Sequence, residues 1–132
     1  MVLGNSRVGA AVAVSDMARA RAFYEGVLGL TPATDHEPAD NVRYVCGEGT
    51  VVHVFTTPHA GTATSTVAGW EVGDIGRVVA ELAGRGVVFE RYDEPGLRTD
   101  ERGVATFPGD NRVAYFKDPD GNVLSIAQPG RT

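Results

Sequence analysis

The chain has 132 residues, 42% hydrophobic and 22% charged, which suits one compact soluble domain and excludes two independent enzyme domains or a mainly disordered chain. With 12 Lys and Arg against 17 Asp and Glu, the formal net charge is −5. No basic cluster marks a nucleic-acid backbone footprint, so DNA and RNA are not expected partners. Cys46 is the single cysteine, which excludes an intrachain disulfide and a cysteine-built structural zinc site and fits a cytoplasmic location.

Met1–Arg7 carries no basic segment leading into a long apolar run, and no stretch approaches the roughly 18 apolar residues of a membrane span. Neither export by a leader nor membrane contact is expected. The valine-rich run Val8–Val14 then predicts a buried strand. Asp16, or Ser15 beside it, can accept from the free N–H groups that start a helix. Met17, Ala20, Tyr24, Val27 and Leu28 recur at helical spacing, Phe23 widens the stripe, and Gly29 lets the chain leave the helix. Strand candidates follow at Thr31–Thr34, Val42–Cys46 and Thr50–Thr56, then a Gly-, Thr- and Ala-rich linker at Pro58–Thr66.

The pattern then repeats. Trp70-Glu71-Val72-Gly73-Asp74-Ile75 echoes Val12-Ala13-Val14-Ser15-Asp16-Met17, with the two aspartates 58 positions apart. Asp74 reads as the second cap, Ile75, Val78, Val79 and Leu82 as a helical stripe, and Gly84 and Gly86 as its end. Strands are expected at Val87–Tyr92, Val104–Phe107, Arg112–Lys117 and Val123–Gln128. Asp118-Pro119-Asp120-Gly121-Asn122 reads as the turn of a hairpin, and by itself as nothing more. Tyr92–Gly103 is long, charged and punctuated by Pro and Gly, either a flap over a site or a solvated excursion.

Val14-Ser15-Asp16-Met17, Ala22-Phe23-Tyr24, Val27-Leu28-Gly29 and Phe116-Lys117-Asp118-Pro119-Asp120-Gly121-Asn122 together resemble the vicinal oxygen chelate superfamily across nearly the whole chain. That superfamily includes glyoxalase I, extradiol dioxygenases, fosfomycin-resistance enzymes and bleomycin-resistance binding proteins. The resemblance implies an α+β fold of two tandem βαβββ modules, each curling its sheet into a half-barrel around a cavity and commonly completed by homodimerisation. The expected organisation is one domain over 1–132, with modules at about 7–58 and 67–128 joined by the 58–66 linker.

In the enzymes of this superfamily a divalent ion binds substrate oxygens, held by His, Glu or Gln on the first and last strand of each module. The resemblance puts these positions at Gly9, His53, Val67 and Ser125. Gly9 and Val67 have no ligating side chain, and one imidazole with one hydroxyl does not build the shell of a hard divalent ion. The metal site is therefore expected to be lost, with no cofactor and no catalytic residue assigned. His36 and His59 read as solvated loop histidines.

A cavity without a metal can still bind. Gly9, Ala11 and Ala13 share one face of the first strand, and such small residues either leave volume for a flat guest or permit close strand packing. Tyr44, His53, Phe55, Phe107 and Tyr115 are read as its walls, each with burial in the ordinary core as the alternative, and Ser125 as a further contact. Glu71 reads either as a cavity carboxylate that could attract a cation or serve as a base, or as a surface carboxylate near a strand end. Trp70, Phe23 and Phe116 read as packing residues. The leading expectation is a cytoplasmic homodimer that sequesters an aromatic small molecule such as an antibiotic. The competing readings are a metal-independent lyase or isomerase using His53, Glu71 or Tyr115, a metalloenzyme with ligands elsewhere, and an accessory subunit with an empty cavity.

Overall fold

The computed structural model describes residues 3–34 and 38–130; His36 lies outside them. The first valine-rich run forms β1 (Ala10–Val14), shorter than expected, with Val8 left 86% exposed. Asp16 caps α1 (Met17–Arg21): its carboxylate accepts from the Arg19 N–H at 3.0 Å, satisfying a donor that no earlier carbonyl reaches. The helix widens into a π-helical segment, Ala22–Val27, with the Leu28 N–H donating to the Phe23 carbonyl. Gly29 ends it at φ +77°, a left-handed conformation open to a residue without Cβ.

Next come β2 (Thr31–Pro32), β3 (Asn41–Val45) and β4 (Val51–Thr56), in a sheet ordered β1-β4-β3-β2 whose only parallel pair is β1 with β4. The second half begins with β5 (Thr66–Glu71) and α2 (Ile75–Gly84), capped by Asp74 accepting from the Arg77 N–H at 3.1 Å. A small hairpin of β6 (Asp93–Glu94) and β7 (Leu97–Arg98) precedes β8 (Val104–Phe107), β9 (Asn111–Lys117) and β10 (Val123–Gln128). The second sheet is ordered β5-β10-β9-β8, again with its first two strands parallel.

The strand expected at Val87–Tyr92 does not form. β8 occupies the edge of β9 from Asn111 to Ala114, which leaves only Tyr115, Phe116 and Lys117 of that strand. There Phe89 makes an isolated bridge to Phe116, and the Glu90 N–H donates to the Tyr115 carbonyl at 2.8 Å. The charged Tyr92–Gly103 segment is ordered by the β6–β7 hairpin.

In both sheets the two-residue period sends alternate side chains beneath the helices. Val12, Val14, Val42, Tyr44, Val52 and Val54 from the first sheet, and Ala68, Ala114, Phe116, Leu124 and Ile126 from the second, join Ala20, Tyr24, Ile75 and Val79 in one core. Burying each of the valine, leucine and isoleucine side chains contributes roughly 1.5–3 kcal/mol. Phe23 packs edge-on against Tyr24 at 5.2 Å and reaches Phe116 at 6.5 Å between centroids, so the first helix covers part of the second sheet.

The Asp118–Asn122 turn also ties the halves together. Asp118 is 5% exposed and accepts from the Tyr24 hydroxyl at 2.8 Å, the Asn122 amide side chain at 2.9 Å, and the Asp120 and Asn122 backbone N–H groups at 2.9 and 2.8 Å. Asn122 also donates to the Ala13 carbonyl at 2.7 Å, and Asp120 accepts from the Ser15 backbone and hydroxyl. Burial, then the Asp118 carboxylate beside it, pushes the Tyr24 phenol well above the usual tyrosine range. Among the described residues, no helix is long and apolar enough to cross a membrane.

Candidate functional site

The face opposite the helices carries the remaining side chains of each strand. In the first sheet, register aligns Ala11, His53 and Arg43 in one row and Ala13, Phe55 and Asn41 in the next, with Gly9 just before β1 and beside Val51. In the second sheet, Gly69, Ser125 and Tyr115 form a row, Glu71, Ala127 and Val113 another, and Phe107 stands opposite Asn111. Gly9, Ala11, His53, Phe55, Glu71, Phe107, Tyr115 and Ser125 therefore all lie on the open face.

Tyr44 lies on the other side. It pairs in register with Val52, is fully buried beneath the first helix, stacks on Tyr24 at 6.1 Å, and donates its hydroxyl to Glu25 Oε2 at 2.8 Å. It is a core residue and no wall of the open face. Partial burial works against the ionised form of Glu25, but hydrogen bonds from Arg21 and Tyr44 prevail and hold its carboxyl below the usual range. Trp70 also lies on the helix side, packed against the core, with its indole N–H buried and without a hydrogen-bond partner among the described residues.

A cavity of about 800 Å³ opens between the start of β1, the Cys46–Val52 segment and β5. Gly9, Glu48, Val67, Gly69 and Glu71 are among its lining, whereas His53, Phe55, Phe107, Tyr115 and Ser125 are not. The expected site residues thus fall into two groups, one around this cavity and one spread over the open sheets. A Cβ at Gly69 would come 2.5 Å from the Ser125 hydroxyl, so Ser125 can lean over the neighbouring strand only because glycine stands there.

His53 is half-buried, its ring tilted against Phe55 at 6.0 Å between centroids, with Nε2 in close contact with Asn41 Oδ1. On the second sheet Tyr115 meets Tyr92 edge-on at 5.8 Å. Burial, and then Tyr92, raises the Tyr115 phenol above its ordinary value, which makes it a poor base near neutral pH. His59 is exposed in the turn after β4, with its backbone N–H donating to Thr57 Oγ1 at 3.3 Å.

The metal that the fold family implies does not fit the residues present. Among the described residues, no three His, Cys, Asp or Glu side chains gather into a group that could hold an ion. The four positions offer one imidazole and one hydroxyl, and the imidazole is already engaged by Asn41.

Asn41, Arg43 and Tyr92 are open-face or neighbouring residues that sequence reasoning did not single out as contacts. A signal for the first two was present. Asn41-Val42-Arg43-Tyr44 alternates polar and apolar, which assigns Val42 and Tyr44 to the core and Asn41 and Arg43 to the other face.

Comparison with known proteins agrees with this architecture. The Glyoxalase/Bleomycin resistance protein/Dioxygenase superfamily profile matches residues 8–126. Among solved structures, a glyoxalase/bleomycin resistance protein from Catenulispora acidiphila DSM 44928 is 25% identical, with TM-score 0.67 over 92% of this chain and 96% of that one. TnmS3, an antibiotic binding protein from Streptomyces sp. CB03234, is 24% identical, with TM-score 0.64 over 91% and 92%. A glyoxalase/dioxygenase from Nostoc punctiforme is 23% identical, with TM-score 0.66 over 99% and 97%. These last two show likeness of fold. No curated protein matches the chain. With the profile spanning most of its length and the two capped βαβββ halves in place, the chain belongs to the glyoxalase/bleomycin resistance protein/dioxygenase superfamily.

Proposed function

We propose that this protein binds an aromatic natural product of antibiotic type on its open face and holds it unchanged, without a resident metal. The observation that carries this reading is the side-chain content of the four family ligand positions: Gly9, Val67, His53 and Ser125 lack the donors of a divalent shell. What stands on the open face suits affinity. Gly9, Ala11 and Gly69 leave room, while Phe55, Phe107 and Tyr115 offer ring surface for stacking. TnmS3, which shares the fold, is an antibiotic binding protein. Protection would be stoichiometric, because a binder present above its Kd lowers free drug by mass action.

The same reading takes residues 1–132 as one domain of two modules, acting as a homodimer in the cytoplasm with no nucleic-acid or membrane partner. The test is titration with a panel of polycyclic and glycopeptide antibiotics, with micromolar or tighter binding to at least one expected. Ligand fluorescence is the better reporter, since Trp70 sits on the helix side. Absence of micromolar binding across the panel overturns the proposal. Product formation beyond one equivalent, lost in His53→Ala or Glu71→Gln, would establish lyase or isomerase chemistry instead.

A further inference from the structure

We propose that the open face reads a phenolic hydroxyl on its aromatic guest through His53, with Asn41 as the positioning residue that gives the imidazole this role. The inference rests on the binding reading above and deepens it. Asn41 begins β3 opposite Phe55, one diagonal step from His53. Its Oδ1 meets His53 Nε2. A carbonyl oxygen can only accept, so Nε2 carries the proton and the neutral ring presents Nδ1 as an acceptor. Without Asn41 the two neutral tautomers compete, and the ring has no fixed preference for reading a donor or an acceptor.

The surroundings of that acceptor narrow the guest. The imidazole stands tilted against Phe55 at 6.0 Å between centroids, so the ring that carries the acceptor adjoins an aromatic surface on which a flat guest would stack. In the His53 row, Ala11 on β1 takes up little volume and Arg43 lies on β3. Arg43 is exposed, and its guanidinium makes no ion pair among the described residues. A cation beside the acceptor favours a donor whose oxygen becomes more negative as it gives its hydrogen bond. A phenol or hydroxyquinone meets that condition. An aliphatic alcohol gains less, and an ammonium group would be repelled by Arg43.

Two measurements on the full chain test this. Nitrogen NMR of isotopically labelled protein at mildly alkaline pH reads the His53 tautomer with no guest present. Fluorescence titration with hydroxypyrene and methoxypyrene compares two flat guests that differ in the donor hydrogen. The wild type should show the Nε2–H tautomer and bind hydroxypyrene about tenfold more tightly than methoxypyrene, the usual scale of one good hydrogen bond. Asn41→Leu should lose that preference, and Asn41→Asp, which restores the acceptor oxygen, should recover it. A purely structural Asn41 would weaken both pyrenes alike. An Nδ1–H tautomer in the wild type, or equal affinity for the two pyrenes, overturns the phenol assignment and leaves the binding reading standing. A hydroxyl preference that survives in Asn41→Leu removes Asn41 from the role. If neither pyrene binds while the Nε2–H tautomer is present, the phenol assignment fails, and the antibiotic panel alone decides the binding reading.

Discussion

On β4, Val52 and Val54 are sealed beneath the helices, while their neighbours Val51, His53 and Phe55 stay half-buried on the other face. The same contrast runs along β10, where Leu124 and Ile126 are buried and Ser125 and Ala127 are not. Each strand therefore meets two sets of requirements at alternate positions. The helix side supplies the apolar burial, the Tyr24–Asp118 hydrogen bond and the ties to Ala13 and Ser15 that hold the halves together. The open side carries a smaller share of the buried apolar side chains. Substitutions on one side should change folding with little change of chemistry, and on the other the reverse.

The largest expected effect tests the helix side. Asp118→Ala removes a buried acceptor from four donors, and should cost about 3 kcal/mol or more because donors left behind around Tyr24 and Asn122 are desolvated and unmatched. Urea denaturation measures this as a lowered midpoint. A change below about 1 kcal/mol would break the comparison, since the turn would then be no more than a surface hairpin.

The open side is tested next by His53→Ala. Its urea midpoint should stay within about 1 kcal/mol of wild type, while affinity for a flat guest falls roughly tenfold. A stability loss as large as that of Asp118→Ala would mean that the open face shares the structural burden. The smallest effect sharpens the comparison at the margin of the core, where Tyr44 and Arg21 hold Glu25. The folded-state pKa of Glu25 is depressed, so its contribution is present above the ordinary glutamate value of about 4.3 and is lost as pH falls through the folded value. Glu25→Gln should flatten the acid limb of the stability–pH curve slightly, because Glu25 is only partly shielded from solvent. Urea midpoints taken from neutral to acid pH will show it.

Local features were legible in the amino-acid order. Asp16 and Asp74 cap their helices as read, since capping depends on a carboxylate within three residues of a free N–H. The parity of β1 and β10 was also readable from valine and leucine alternation. Tyr44 was not placed correctly, because a tyrosine serves equally as a cavity wall or as a core ring with a polar tip, and its register with Val52 selects the second. Val87–Tyr92 has the composition of a strand, yet β8 fills most of the edge it would need. Asp118-Pro119-Asp120-Gly121-Asn122 was visible as a turn, but its partners Tyr24 and Ser15 lie 94 and 105 positions earlier in the chain.

By itself, the order of residues determined the helix caps, the repeated half and the family, because each depends on neighbours within a few residues or on a pattern carried along the chain. Only the tertiary structure decided that Asn41 meets His53, that Tyr44 faces the helices and that the last turn ties the two halves. Those outcomes depend on which strands pair and in what register, and a shift of one residue would send every side chain of a strand to its opposite face.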